Sequence, residues 1–149
     1  MGKTRSKKIR RKPLVMWFNH LGIKDVPLAG GKNASLGEMY RNLTKKGVSV
    51  PNGFAITAEA YFYLLDKTGT RKEIRNILQD LDTSNMKNLQ EHGKAVRQVI
   101  RNAQFPDDLV MVIGKAYEKL EEEYGKNVDV AVRSSATAED LPGASFAGQ

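Results

Sequence analysis

A chain of 149 residues with 40% apolar and 28% charged residues is long enough for one domain with a buried core, and this composition is typical of globular proteins. A net charge of +7 could indicate a nucleic-acid partner, but the excess charge lies in residues 1–12, which hold seven Lys or Arg and no acid. Residues 13–149 hold 17 basic and 17 acidic residues, so the rest of the chain is neutral and gives no sign of a nucleic-acid surface. The sequence contains no cysteine, which excludes disulfides and thiolate sites, and no signal peptide or membrane span, so we expect a cytoplasmic protein outside the membrane.

The first segment, residues 1–12, is predicted to be a disordered basic tail. It has too few apolar side chains to offset the entropy of ordering. Such a tail solubilises the chain or contacts nucleic acid weakly and without sequence preference, and we expect no other nucleic-acid contact. The folded domain is expected over 13–149, beginning with the apolar run LVMWF, which predicts a strand near 14–18.

A glycine pair followed by a helical pattern is the next feature, in the segment AGGKNASLGEM at 29–39. Ser35 and Glu38 have the spacing of a capping box, although Asn33 could cap the helix instead. The apolar stripe that follows ends at Lys45, Lys46 and Gly47, which are typical of a helix C-terminus. The pattern predicts a helix near 33–46.

Either cap places Lys32 at the N-terminus of this helix. A cation is disfavoured there by about 0.3–1 kcal/mol, because the helix dipole is positive at that end. A lysine at this position therefore suggests an anion that it holds. Gly-Gly-Lys alone is a weak signal, and the spacing of a Walker A phosphate loop is absent.

The middle of the chain predicts structural elements and no chemistry. A Pro-Gly turn leads into a strand near 53–56, and Thr57 is expected to cap the next helix. Helical spacing of apolar residues predicts four helices, near 58–67, 71–81, 86–102 and 107–124. His20 and His92 have no other ligand at metal-binding spacing, and we interpret both as structural.

The last stretch, VDVAVRSSATAEDLPGASFAGQ at 128–149, combines a strand pattern with a loop pattern. The alternation of Val128, Val130 and Val132 predicts a half-buried strand near 128–134, which carries Arg133. The loop that follows is rich in Ser, Thr, Ala and Gly, so it offers hydroxyl and backbone N–H donors close to a fixed positive charge. This combination favours the binding of phosphate.

Both segments resemble one protein family. GGKNASLGEM and VRSSATAEDLPGASFAGQ are similar to motifs of the phosphoenolpyruvate synthase (pyruvate, water dikinase) and pyruvate phosphate dikinase family, in the same order. The resemblance implies an α/β fold, namely the first half of an ATP-grasp-type domain with a small mixed sheet and several helices. Joined to the phosphate argument, it gives the predicted ATP-binding residues: Lys32, Arg133, Gly30, Gly31, Ser134, Ser135, Thr137 and Gly148.

The resemblance also implies a reaction. In intact enzymes of the family, the β-phosphoryl group of ATP passes to a histidine on a separate domain and then to pyruvate, with water as the second acceptor and Mg²⁺ as the metal. The resemblance covers nearly all of residues 14–149 but only the beginning of such an enzyme, so we expect an excised domain or a truncated gene product. No catalytic residue and no metal ligand is assigned within it, and the fragment alone is expected to be inactive.

Two alternatives stay open at this point. A rifampicin-type antibiotic phosphotransferase shares the Arg-Ser-Ser loop, although Asn-Ala-Ser after Gly-Gly-Lys favours the synthase. A module that binds a nucleotide or nucleic acid without turnover is the other alternative. Loss of salt-dependent DNA binding on deletion of residues 1–12 would support it.

Overall fold

A computed structural model describes residues 12–138; the predicted tail, apart from Lys12, and the end of the loop with Gly148 lie outside this range. The described residues form two strands and six helices. These are β1 (Val15–Trp17), α1 (Val26–Ala29), α2 (Gly31–Leu43), β2 (Phe54–Ile56), α3 (Ala58–Lys67), α4 (Thr70–Ile77), α5 (Met86–Asn102) and α6 (Asp107–Tyr124). Short 3-10 turns at 18–20, 23–25 and 44–46 complete the pattern. No helix within 12–138 is long and apolar enough to cross a bilayer.

The sheet is a two-stranded antiparallel pair, not the mixed sheet that was predicted. Met16 lies opposite Ala55, and one hydrogen bond beyond each end of the pair extends it: Phe18 N–H to the Gly53 carbonyl at 2.9 Å and Thr57 N–H to the Leu14 carbonyl at 3.0 Å. The two predicted strands near 14–18 and 53–56 are therefore confirmed. They pair although about 35 residues of turns and helix separate them.

The predicted strand near 128–134 is wrong. Residues 128–136 are irregular, and the side chain of Val132 is 94% exposed. Alternating apolar residues fit a strand, but a strand also needs a hydrogen-bonded neighbour, and within the described residues the sheet consists of β1 and β2. The Val128 carbonyl instead accepts a hydrogen bond from the Tyr117 hydroxyl at 2.8 Å.

The helices follow the prediction closely, except at the start of α2 and the end of α4. Thr57 caps α3 as expected, because its hydroxyl accepts the Ala60 N–H at 3.3 Å. Helix α4 ends at Ile77, four residues before the predicted limit. After the C-terminus of α2, the 3-10 turn at 44–46 ends at Gly47. Gly47 adopts φ of 82°, a left-handed conformation that terminates the helical segment, as the sequence predicts.

Two apolar clusters hold these elements together. One contains Leu21, Ala29 and Ala55, with Met16 and Phe18 packed against it. The other joins α3 to α6 through Ala60, Leu64 and Leu109. The first cluster fixes the short α1 on the sheet through Ala29, and because α2 follows α1 after Gly30, the cluster helps to determine where the Gly-Gly-Lys segment lies.

Helix α6 is anchored to the sheet side of the domain by polar contacts. The Lys119 ammonium lies 4.9 Å from the centre of the Trp17 ring, a cation–π distance. The Asn52 N–H donates to the Tyr124 hydroxyl at 2.7 Å, and the Asn52 side chain donates to Glu123 at 2.8 Å. These contacts set the direction in which the chain leaves α6 and returns toward α2.

Candidate functional site

The first turn of α2 is built on glycine. Gly30 is the N-cap residue and has φ of 82°, a value that glycine adopts without the penalty other residues incur. The helix begins at Gly31, so Lys32 lies in its first turn, as predicted, with an exposed side chain. The expected caps are wrong: no side chain of α2 caps its own N-terminus.

Asn33 has a different role from the predicted cap. Its side-chain amide donates to the Ala29 carbonyl at 2.8 Å, which fastens the helix to the end of α1. Glu38, which with Ser35 was expected to form a capping box, accepts hydrogen bonds from the Ile23 N–H at 3.1 Å and from Arg41 at 2.6 Å. The hydrogen bond from the Ile23 backbone is the main cause of the lowered pKa of Glu38. Both residues serve the placement of α2.

The loop after Arg133 lies against this same helix end. The Ser135 hydroxyl donates to the Ala29 carbonyl at 3.0 Å and accepts the Asn33 N–H at 3.4 Å. One residue later, the Ala136 carbonyl accepts the Gly31 N–H at 3.3 Å. The two sequence motifs, about a hundred residues apart, are therefore in direct contact.

These contacts satisfy helix amides that would otherwise lack a partner. The first N–H groups of a helix have no acceptor within the helix and need one from a cap, from water or from a ligand. In α2, Ser135 supplies an acceptor for Asn33, and Ala136 supplies one for Gly31. A residue distant in sequence thus takes the role of the missing cap.

The close approach explains why position 30 needs glycine. A Cβ atom there would lie 2.2 Å from the Ser135 hydroxyl oxygen, 2.8 Å from the Ser135 carbonyl carbon and 3.0 Å from the Ala136 oxygen. Two of these atoms belong to the backbone and cannot rotate away. Glycine is therefore required for the helix and the loop to touch.

The predicted ATP-binding residues fall into three groups. Direct contacts bring Gly30, Gly31 and Ser135 together. Lys32, Arg133, Ser134 and Thr137 are exposed within one to three residues of those contacts. That the side chains of these four residues face one bound ATP stays a prediction. Gly148 lies outside the described residues.

A histidine and carboxylate pair lies elsewhere, between α4 and α5. The His92 ring nitrogen Nε2 is 3.1 Å from Asp80, and Nδ1 is 2.8 Å from the Asn88 carbonyl. Residues 12–138 nevertheless hold no group of three or more side chains suited to a metal ion. No local pattern indicates this pair, because Asp80 and His92 are 12 positions apart, with a turn between them.

Comparison with known proteins gives consistent matches. The sequence profile of a family described as the pyruvate phosphate dikinase AMP/ATP-binding domain matches residues 26–149. The chain is 55% identical over 141 residues to the phosphoenolpyruvate synthase of Aquifex aeolicus, and this match covers 94% of the chain but 16% of that protein. The corresponding enzymes of Synechocystis and Escherichia coli are 53% and 50% identical, over 91% and 92% of the chain and 17% of each enzyme. The chain spans about a sixth of the length of these relatives.

Proposed function

The chain belongs to the pyruvate phosphate dikinase AMP/ATP-binding domain family, and we propose that it is the N-terminal, ATP-binding part of a phosphoenolpyruvate synthase. The complete enzyme would phosphorylate pyruvate to phosphoenolpyruvate with ATP and water in the cytoplasm. The names of the relatives support this reaction, and they favour it over a rifampicin-type phosphotransferase. The fold would be the first half of an ATP-grasp domain.

The observation that carries the proposal is the contact between the two motifs. Ser135 and Ala136 lie on the first turn of α2, so Arg133 and Lys32 are each within two residues of that contact. Phosphoryl transfer needs positioning and charge neutralisation more than covalent chemistry from the protein. Two exposed cations near hydroxyl groups match that need.

The roles follow from the chemistry of each group. We assign Lys32 and Arg133 to the phosphates, because an ammonium and a guanidinium neutralise negative charge and the latter can bind two oxygens at once. The hydroxyls of Ser134 and Thr137 are exposed and can donate further hydrogen bonds. The glycines allow a ligand to approach the backbone closely.

Magnesium and the phosphoryl acceptor are assigned to other parts of the enzyme. The described residues do not gather a set of metal ligands, and we propose that the groups that bind Mg²⁺ lie elsewhere in the complete enzyme. No histidine of this chain is assigned as the residue that becomes phosphorylated. The proposed contribution of this chain is the binding and orientation of ATP.

The test is the replacement of each cation in the complete polypeptide. Lys32→Ala and Arg133→Ala are expected to lower kcat/KM for ATP by about a hundredfold each, because a charge-assisted hydrogen bond gives about 1.5–3 kcal/mol. Pyruvate-dependent formation of AMP and phosphoenolpyruvate is the measurement. The midpoint of urea unfolding should change little, since both side chains are exposed.

Matched controls distinguish a specific effect from a loss of charge. Lys46→Ala removes an exposed lysine from the opposite end of the helical segment, and Arg101→Ala removes an exposed arginine from α5. Both controls should retain the unmodified kcat/KM. Full activity of Lys32→Ala and Arg133→Ala, or an equal loss in the controls, would overturn the assignment.

A further inference from the structure

The Ser135 hydroxyl donates its one proton within the protein. A serine hydroxyl has one proton to donate and can accept with its oxygen lone pairs. In this structure the proton is directed to the Ala29 carbonyl at 3.0 Å, and the oxygen accepts the Asn33 N–H at 3.4 Å. Phosphate oxygens are acceptors, so a hydroxyl whose proton is already donated has nothing to offer them.

The neighbouring contacts make this arrangement specific. Gly31 N–H donates to the Ala136 carbonyl at 3.3 Å, so two successive residues of the loop are attached to the helix. Gly30 leaves the space that the Ser135 side chain occupies. Ser134, by contrast, is exposed and lies immediately after Arg133.

We propose that Ser135 is a positioning residue, which attaches the loop carrying Arg133 to the helix end carrying Lys32 and does not itself bind phosphate. This inference rests on the proposed function and revises the prediction that Ser135 binds ATP. The hydroxyl attaches the loop to α2 only two residues after Arg133. Without it, the two cations would no longer be held in one arrangement before ATP arrives.

The decisive experiment is a double-mutant cycle in the complete polypeptide. Ser135→Ala should lower kcat/KM for ATP by about ten- to a hundredfold, through the misplacement of Arg133. If Ser135 acts through Arg133, adding Ser135→Ala to Arg133→Ala should lower kcat/KM little further. Additive losses in the double variant would show that Ser135 acts independently of Arg133 and would overturn the proposal.

Three further variants separate positioning from folding. Ser135→Thr keeps the hydroxyl and should restore most of the activity. Gly30→Ala should reproduce the loss from the other side of the contact, because its Cβ would collide with Ser135. Ser35→Ala is the matched control, since Ser35 is an exposed serine of the same helix, and it should leave kcat/KM unchanged.

A second measurement reports on the contact directly. Amide hydrogen exchange at Gly31 and Asn33 should accelerate in Ser135→Ala and not in Ser35→Ala, because the attached loop protects these N–H groups. Unchanged exchange with unchanged kcat/KM would overturn the positioning role alone. An unmodified enzyme that does not use ATP would overturn the proposed function, and the positioning role with it.

Discussion

At Gly37 the helix α2 lies directly against the buried Leu21. A Cβ atom at position 37 would be 2.6 Å from both the Cβ atom and the carbonyl oxygen of Leu21. Neither atom can move without a shift of the backbone. We expect Gly37→Ala to lower the free energy of unfolding by about 1–3 kcal/mol, the usual cost of overpacking, measured by urea titration of the chain.

Gly114→Ala is the control for this substitution. Gly114 is also in a helix, α6, and a Cβ atom there would meet nothing within 4 Å. This variant should gain up to about 1 kcal/mol, because alanine favours the helix over glycine. If both alanine variants changed the stability alike, the close packing at Gly37 would not be the cause.

His92 makes stability depend on pH. Its hydrogen bonds to the Asn88 carbonyl and then to Asp80 raise its pKa. Both ring nitrogens can donate only in the imidazolium form, so one bond weakens when the ring loses its proton. The contribution of His92 is therefore complete below the unfolded pKa of about 6.5 and is lost as the pH rises through the higher folded value.

The measurement is the free energy of unfolding at pH values between about 5.5 and 8.5, which bracket the titration of a histidine. We expect His92→Gln to remove part of the decline that the unmodified chain shows toward high pH. Asp80 does not interfere, because its hydrogen bond from His92 lowers its pKa and its own contribution disappears only in acid. An identical pH profile in the variant would contradict this role.

At the scale of elements, the sequence predicted what local patterns determine. Helices α3, α5 and α6 have the predicted bounds, because each carries its own apolar stripe and end signals. The start of α2 was misplaced, because its cap comes from Ser135, about a hundred residues away. The prediction of a strand near 128–134 is wrong for a related reason, because a strand forms only beside a hydrogen-bonded neighbouring strand, and no local pattern reveals whether one is present.

In the candidate site, too, the chemistry of the residues is predictable from the sequence and their contacts are not. The residue types in the two motifs are enough to indicate phosphate, because charge and hydrogen-bonding capacity belong to each side chain. The hydrogen bonds between the motifs could not be predicted from the sequence, because they depend on how the chain folds between positions 44 and 128. The bond from Asn33 to Ala29 is local, but an asparagine side chain can either cap a helix or bond a nearby carbonyl, and the sequence does not distinguish the two. The chemistry of a motif depends on its own residues, whereas the geometry of the site depends on segments that are distant in the sequence.

The attachment of α6 to the loop before β2 gives a prediction at this scale. Tyr124→Phe removes the acceptor of the Asn52 N–H, whose bond to the hydroxyl is 2.7 Å long. The loss should lower the free energy of unfolding by about 0.5–1.5 kcal/mol. Tyr61→Phe on α3, also an exposed tyrosine, is the control in the same urea titration; an equal effect there would contradict the specific role of the Tyr124 hydroxyl.

For the molecule as a whole, the question is how strongly this chain alone holds a nucleotide. Lys32, Arg133 and Ser134 are exposed to water. A pair of unit charges 4 Å apart gains only about 1 kcal/mol in water, and the gain rises as enclosure by protein lowers the effective dielectric constant. The proposed phosphate contacts are therefore worth much less here than in an enclosed site.

We accordingly expect the 149-residue chain to bind ATP weakly, if titration calorimetry detects binding at all, and to form no phosphoenolpyruvate from ATP and pyruvate. Any binding should weaken further between about 0.05 and 0.5 M salt, because salt screens the attraction between solvent-exposed charges. Lys32→Ala should abolish what remains, and Lys46→Ala should not. Sub-micromolar affinity for ATP, or synthesis of phosphoenolpyruvate by the isolated chain, would show that these residues form a complete site and would contradict the assignment of the remaining contacts to other parts of the enzyme.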